Sequence, residues 1–206
     1  MPSSLQAALA TALWCVLHSV FVSHRWRRFV AGSLPSYRPW QRLAYVAAST
    51  ASFGLLVLWL RTLPEVVLWE WTGVWRWVRW LGLLEAFVLF ALGARAYEGR
   101  AFLGLRQAAD HLAGRPPREP AFRSDGILAV IRHPWYAGTL LLLAFGLPVT
   151  DVNLAWRLVL AAYVLVGTEL EERKLLADLG PVYAEYRGRV PRFLPGIRSR
   201  REPRLR

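Results

Sequence analysis

The sequence predicts an all-α integral membrane protein with about five transmembrane helices, the last two a short hairpin, followed by a cytoplasmic C-terminal helix. Three observations carry this expectation. The 206-residue chain is 55% hydrophobic and holds eleven tryptophans. Its apolar residues collect in long runs. Its charge, a formal +12 from 26 basic and 14 acidic residues, gathers between those runs and at the C-terminus. Apolar runs separated by arginine clusters belong to a chain whose helices lie in lipid and whose loops hold the charge.

Each span can be read in turn. The first runs from about Ser4 to Val22 and gives way to "SHRWRRFV". It lacks a basic leader and a small-residue cleavage site, so it is expected to stay as a membrane helix. The second runs from about Leu43 to Leu63 and the third from about Trp77 to Tyr97. Between them "PEVVLWEWTGVWRWVRW" interleaves tryptophan with Glu70, Arg76 and Arg79, as an aromatic belt at a headgroup layer does. The fourth span starts at Pro134 and ends near Val149, and the fifth runs from about Leu154 to Thr168. Both fall short of the roughly 20 residues that cross a bilayer, so with "TDVN" between them they read as a tight hairpin. "GRPPREP", from Gly114 to Pro120, reads as a plain loop.

Arginine placement predicts the orientation. The loop from Ser23 to Arg42 carries Arg25, Arg27, Arg28, Arg38 and Arg42 with no acid, which marks it as cytoplasmic. Counting spans from there puts the N-terminus outside and the C-terminus inside. The tail agrees independently through Arg198, Arg200, Arg201, Arg204 and Arg206. Localisation in a membrane follows, the cytoplasmic membrane if the host is bacterial. Membrane lipids are the expected partners of this basicity, and nucleic acid is not, because the bases are not gathered with aromatics on one soluble surface. The single cysteine, Cys15, lies within an apolar run and cannot form an intramolecular disulfide. No grouping of histidine, cysteine and acid has metal-ligand spacing, so no metal is expected.

Chemistry concentrates at "VIRHPWYAGTLLL", from Val130 to Leu142. Pro134 suits the first helical position, which puts His133 at the N-cap and Arg132 just outside. A helix N-terminus there offers unpaired N–H groups and partial positive charge, a place for a carboxylate or phosphate. The alternative is that Arg132 reaches lipid phosphate while His133 only caps the helix. At the other end of the hairpin "GTELEERKLL" brings Glu169, Glu171 and Glu172 to the same lip, against the dipole preference for cations at a helix end. Either Arg173 and Lys174 compensate, or a cationic ligand does. A zwitterion with a carboxylate and an ammonium group would satisfy both ends. Farther on, Tyr183 and Tyr186 share a face of a helix that Pro191 ends. They serve as interfacial packing, or they flank an adenine or donate to a carboxylate. Glu85, near the middle of the third span, needs a buried partner such as Arg157 or Arg61, or else it lines a tunnel. His18, Ser19 and Ser49 suit hydrogen bonds between helices. His24 and His111 fall in basic loops and read as solvated.

Taken together, these positions resemble a known family. Arg132-His133-Pro134-x-Tyr136-x-Gly138, a short hairpin, Glu171-Glu172-x-x-Leu175, then Gly180-x-x-Tyr183-x-x-Tyr186-x-x-x-Val190-Pro191 is similar to the isoprenylcysteine carboxyl methyltransferase and phospholipid methyltransferase superfamily. "FLGLRQ" (Phe102–Gln107) and "LHSVFVSHRWRR" resemble its bacterial branch, which includes methanethiol S-methyltransferase. The resemblance implies a three-helix transmembrane region over residues 1–97 and a methyltransferase core over 98–206, with S-adenosylmethionine at the cytoplasmic end of the hairpin. It implies that His133, Tyr136, Gly138, Glu171, Glu172, Tyr183 and Tyr186 bind that cofactor, and that Arg132 or Arg192 steadies an anionic acceptor. The acceptor would be a small hydrophobic or amphiphilic thiol, carboxylate or lipid. The competing expectation is a non-catalytic membrane protein that keeps the fold as a binding or assembly module. A transporter is a poorer fit, because no internal repeat is visible.

Overall fold

The computed structural model describes residues 1–116, 122–146 and 148–196. The tail arginines Arg198, Arg200, Arg201, Arg204 and Arg206 and the last four residues of the "GRPPREP" loop lie outside the described residues. The described chain is almost entirely α-helical. It forms α1 (Ser3–Val22), α2 (His24–Ser33), a 3-10 turn (Pro35–Trp40), α3 (Gln41–Leu60), β1 (Val67–Trp69), α4 (Trp75–Ala96), α5 (Gly99–Phe102) and α6 (Leu105–Leu112). A second 3-10 turn (Gly126–Ala129), α7 (Pro134–Phe145), β2 (Val149–Thr150), α8 (Asp151–Leu179) and α9 (Pro181–Arg189) complete it. The only sheet among the described residues is the β1–β2 pair.

Four described helices are long and apolar enough to cross a membrane: Ser3–Val22, Ser36–Leu60, Trp75–Ala96 and Asp151–Leu179. That is the make-up of an integral membrane protein. The fourth of the five expected spans is α7, which has 12 residues. At 1.5 Å per residue it extends about 18 Å, well below the roughly 30 Å of a hydrocarbon core.

The expected turn at "TDVN" is instead the start of α8. Thr150 Oγ1 accepts from the Asn153 N–H at 3.0 Å, an N-cap that starts the helix three residues before Leu154. The helix also runs past Thr168 to Leu179, so Glu169, Glu171 and Glu172 lie inside α8 rather than at its end.

The chain divides into two compact units that alternate along the sequence. One takes Met1–Leu68, Glu98–Ala121 and Val149–Leu160; the other takes Trp69–Tyr97, Phe122–Pro148 and Ala161–Arg206. In the first unit Trp14 Nε1 donates to Ser52 Oγ at 3.1 Å, joining α1 to α3. Ala7, Leu60 and Val152 form its buried apolar cluster. Asp151 Oδ1 accepts from the Val66 N–H at 2.8 Å, and Thr150 donates to Glu65 at 2.8 Å, which ties the chain around β1 to that around β2.

In the second unit α4 and α7 pack closely. Trp135 Nε1 donates to the Phe90 carbonyl at 3.1 Å. A Cβ on Gly138 would lie 3.1 Å from the Ala86 carbonyl oxygen and 3.3 Å from the Phe90 ring, so the absence of a side chain permits this approach. The short α7 also needs its last carbonyls satisfied if it lies in lipid. Arg79 of α4 does this, donating from Nε to the Phe145 carbonyl and from Nη2 to that of Gly146, both at 3.0 Å. The sequence places Arg79 in an aromatic belt; the fold gives it a helix end to cap.

Candidate functional site

The site begins where two short stretches of backbone pair. The N–H of Arg132 donates to the Pro191 carbonyl at 2.9 Å and that of His133 to the Arg192 carbonyl at 3.2 Å. This lays the chain leaving α9 beside the N-terminus of α7, with Pro134 at the first helical position as expected.

Glu172 of α8 is the hub of an ion cluster around that pairing. Its Oε1 accepts from Arg132 Nε at 2.9 Å and pairs with Arg132 Nη2 at 2.7 Å. The same oxygen lies 3.1 Å from His133 Nε2. Its Oε2 accepts from Arg192 Nη2 at 2.7 Å, with Arg187 Nε at 3.8 Å. The Glu172 and Arg132 side chains are only 1% and 3% exposed. Arg132 also donates from Nη1 to the Arg187 carbonyl at 2.8 Å and to that of Val190. A carboxylate this deeply buried needs several donors to remain charged, and the cluster supplies them.

Arg132 is directed at Glu172 and at the two carbonyls of the α9 end. Both oxygens of Glu172 accept from side chains of the chain itself.

The tyrosine pair is likewise internal. Tyr183 and Tyr186 are buried with Val190, against Leu175, Leu176 and Leu179. Phe122 meets both rings edge-on, with centroids 6.0 and 5.3 Å away. Tyr186 donates its hydroxyl to the Leu128 carbonyl at 2.7 Å. The Tyr183 hydroxyl is buried with no hydrogen-bond partner among the described residues. Burial pushes the Tyr186 phenol up to about 12, with Arg132 drawing it back and Glu172 raising it. Burial, then Glu172, pushes Tyr183 farther in the same direction. Both rings stay neutral and packed, and neither is open to flank an adenine. Gly138 lies at the close approach of α7 to α4.

Solvent meets a different set. Tyr136, half-buried on α7, donates to Glu171 Oε2 at 2.6 Å, and Glu171 is exposed. The His133 ring stacks on Tyr136 with centroids 5.5 Å apart and 25° between planes, while Phe193 lies 6.3 Å away. Arg192 is 31% exposed and bridges Glu172 to Glu169 Oε2 at 2.8 Å. Burial works against its charge, but hydrogen bonds to Glu172 and Glu169 outweigh that and raise its pKa. The accessible rim thus carries two acids, a cation and a phenol, with the buried His133 ring stacked against the Tyr136 ring.

Sequence reasoning missed Arg123. It donates to the Ala96 carbonyl at the end of α4 at 3.0 Å while forking onto Asp125 at 3.0 and 2.7 Å. Its spacing from Asp125 is the local signal that could have revealed it. Glu85, expected to need a buried partner or to line a tunnel, is not buried. It is exposed on α4 with no partner among the described residues.

An all-helical membrane-type protein with an arginine–histidine–glutamate cluster at the N-terminus of a short helix is the class so defined. The family described as "NnrU protein" matches residues 6–144. The chain is 33% identical over 197 residues to methanethiol S-methyltransferase 2 of Bradyrhizobium diazoefficiens, covering 94% of this chain and 73% of that protein. It is 31% identical to methanethiol S-methyltransferase 1 of the same organism, covering 93% and 66%. The methanethiol S-methyltransferase of Pseudomonas deceptionensis is 30% identical, covering 92% and 72%. No solved structure matches. The chain belongs to the NnrU family, within the isoprenylcysteine carboxyl methyltransferase-like superfamily.

Proposed function

We propose that this chain is an integral-membrane methyltransferase that uses S-adenosylmethionine to methylate a small hydrophobic or amphiphilic acceptor, with a thiol as the leading class. The observation that carries the reading is the accessible rim beside the buried cluster: Tyr136 held on Glu171, and Arg192 held between Glu169 and Glu172. The names of three relatives, each a methanethiol S-methyltransferase, support the reaction and the thiol.

The donor set fits the cofactor. S-adenosylmethionine is a zwitterion with an additional sulfonium charge; Arg192 is a receptor for its carboxylate, and Glu169 and Glu171 are receptors for its ammonium group or ribose hydroxyls. The half-buried Tyr136 ring, backed by His133, offers a flat surface. When bound, the cofactor supplies an electrophilic methyl group on sulfur. The chain's own task is to hold the reacting partners in line and keep water away, and positioning of that kind contributes roughly 7–11 kcal/mol. His133 Nε2 is already engaged by Glu172, so it is not an available base. An acceptor that ionises unaided suits this site, and a thiol does so more readily than an alcohol or amine. The four membrane-length helices suit an acceptor that partitions into lipid. We further propose that the site faces the cytoplasm, with the N-terminus outside, and that α7 and α8 form a hairpin entering the membrane from that side.

A second reading has its own observation. Arg132, Glu172, Tyr183 and Tyr186 are all engaged in holding the fold, as a non-catalytic binding module would use them. Incubation of the purified protein with methyl-labelled S-adenosylmethionine and a volatile thiol separates the two. Labelled thioether that depends on Glu171 is the expected product. Its absence in well-folded protein, across thiol, carboxylate and lipid acceptors, favours the module.

A further inference from the structure

The first unit carries a partly open pocket of about 550 Å³, within the range of roughly 300–1,000 Å³ typical of small-molecule sites. Trp14, Phe21, Trp26 and Tyr45 give it aromatic walls, while His18, Arg38, Arg42 and Gln107 supply its polar groups. The two stretches singled out by the sequence but unused in the methyl-transfer reading meet here. His18 comes from "LHSVFVSHRWRR", and Gln107 closes "FLGLRQ".

These groups are held in place. The Tyr45 hydroxyl lies 2.6 Å from His18 Nε2, and the Trp14 ring lies tilted against His18 with centroids 4.8 Å apart. Arg42 Nε donates to the Phe102 carbonyl at 2.7 Å, with the guanidinium over the Phe102 ring. Gly104 lets the chain turn so close to α3 that a Cβ there would stand 2.5 Å from the Leu43 nitrogen, at a φ of +84° suited to glycine. That contact sets the start of α6, and with it Gln107, against the cavity.

The charge of the lining is one-sided. It contains two arginines and no acid. The Arg38 side chain has no ion-pair or hydrogen-bond partner among the described residues, although it lines an otherwise largely apolar space. Cations beside aromatic walls are complementary to an amphiphile with an anionic head. We propose that this cavity is a specific site for one anionic phospholipid, its phosphate on Arg38 and Arg42 and the upper part of an acyl chain along Trp14, Phe21 and Trp26. The proposal is independent of the methyl-transfer reading, and its test uses no cofactor.

Protein in phosphatidylcholine nanodiscs is titrated with phosphatidylglycerol, and lipid retained after extraction is counted by native mass spectrometry. Inorganic phosphate serves as competitor. One retained phosphatidylglycerol per chain, not displaced by phosphate, is expected. Arg38→Gln should weaken retention about fivefold. Ala48→Phe, which fills the cavity and leaves both arginines intact, should abolish it, whereas Arg61→Gln on the exposed end of α3 should not. Circular dichroism reports the fold of each variant. Equal retention of phosphatidylcholine and phosphatidylglycerol overturns the proposal, as does displacement by free phosphate. Parent-like retention by folded Ala48→Phe overturns it as well.

Discussion

Arg132 and Glu172, forty residues apart in the chain, form a buried ion pair with Nη2 and Oε1 2.7 Å apart. This pair joins the entry of α7 to α8, and through the carbonyls of Arg187 and Val190 it reaches the end of α9. Removing one member leaves the other charged and buried.

Glu172→Gln should therefore lower stability by about 3–5 kcal/mol, the cost of breaking a buried pair from one side. Glu171→Gln, at an exposed position, should change it by no more than about 0.5 kcal/mol. Thermal unfolding of the two variants in one detergent measures the contrast. Equal midpoints would mean that Glu172 is a ligand-facing acid after all.

The two tyrosines should separate under the same mild change. Tyr186→Phe removes a hydroxyl that donates to Leu128 and should cost about 0.5–1.5 kcal/mol. Tyr183→Phe removes a buried hydroxyl without a partner among the described residues, and should be neutral or stabilising. A loss of cofactor binding in Tyr183→Phe without loss of stability would instead give that hydroxyl to the ligand.

The same pair sets an alkaline limit. Unfolded, a tyrosine releases its proton near 10.0; folded, Tyr186 holds it until about 12. Between these values the folded state binds more protons, so stability falls as pH rises. The contribution is whole below pH 10 and is lost as pH climbs through about 12. Unfolding midpoints across this window should drop, and the drop should be shallower in Tyr186→Phe.

Arg79→Leu should loosen the end of α7. It leaves the carbonyls of Phe145 and Gly146 without their donor, at about 1–3 kcal/mol for a buried group. Hydrogen exchange at the C-terminal turn of α7 is the direct measurement. Faster exchange there, with α1 unaffected, is expected.

The helices were largely legible from the sequence, because long apolar runs such as those of α1, α3 and α4 announce themselves by composition. The extent of α8 was not. Its hydropathy falls away at Glu169, yet the helix continues, since Glu172 turns inward to Arg132 while Arg173 pairs along the surface with Glu169 at 3.2 Å. A window that averages hydropathy treats both acids alike. The site was legible as a gathering of residues: Arg132, His133, Tyr136, Glu171, Glu172 and Arg192 do converge. The division of labour among them was not, because whether a carboxylate faces a ligand or an arginine depends on contacts forty residues away. Gly138 shows the same limit: a glycine at the approach of α7 to α4 looks, in one dimension, like one required by a cofactor.

On the proposed reading Tyr136, Glu171 and Arg192 form a cofactor rim beside the buried cluster. Calorimetric titration of S-adenosylhomocysteine into the purified protein, with Glu171→Gln and Tyr136→Phe alongside, examines that rim. Binding by the parent is expected, weakened at least about tenfold in both variants at unchanged unfolding midpoints. No binding by well-folded parent, or parent-like binding by both variants, would contradict it.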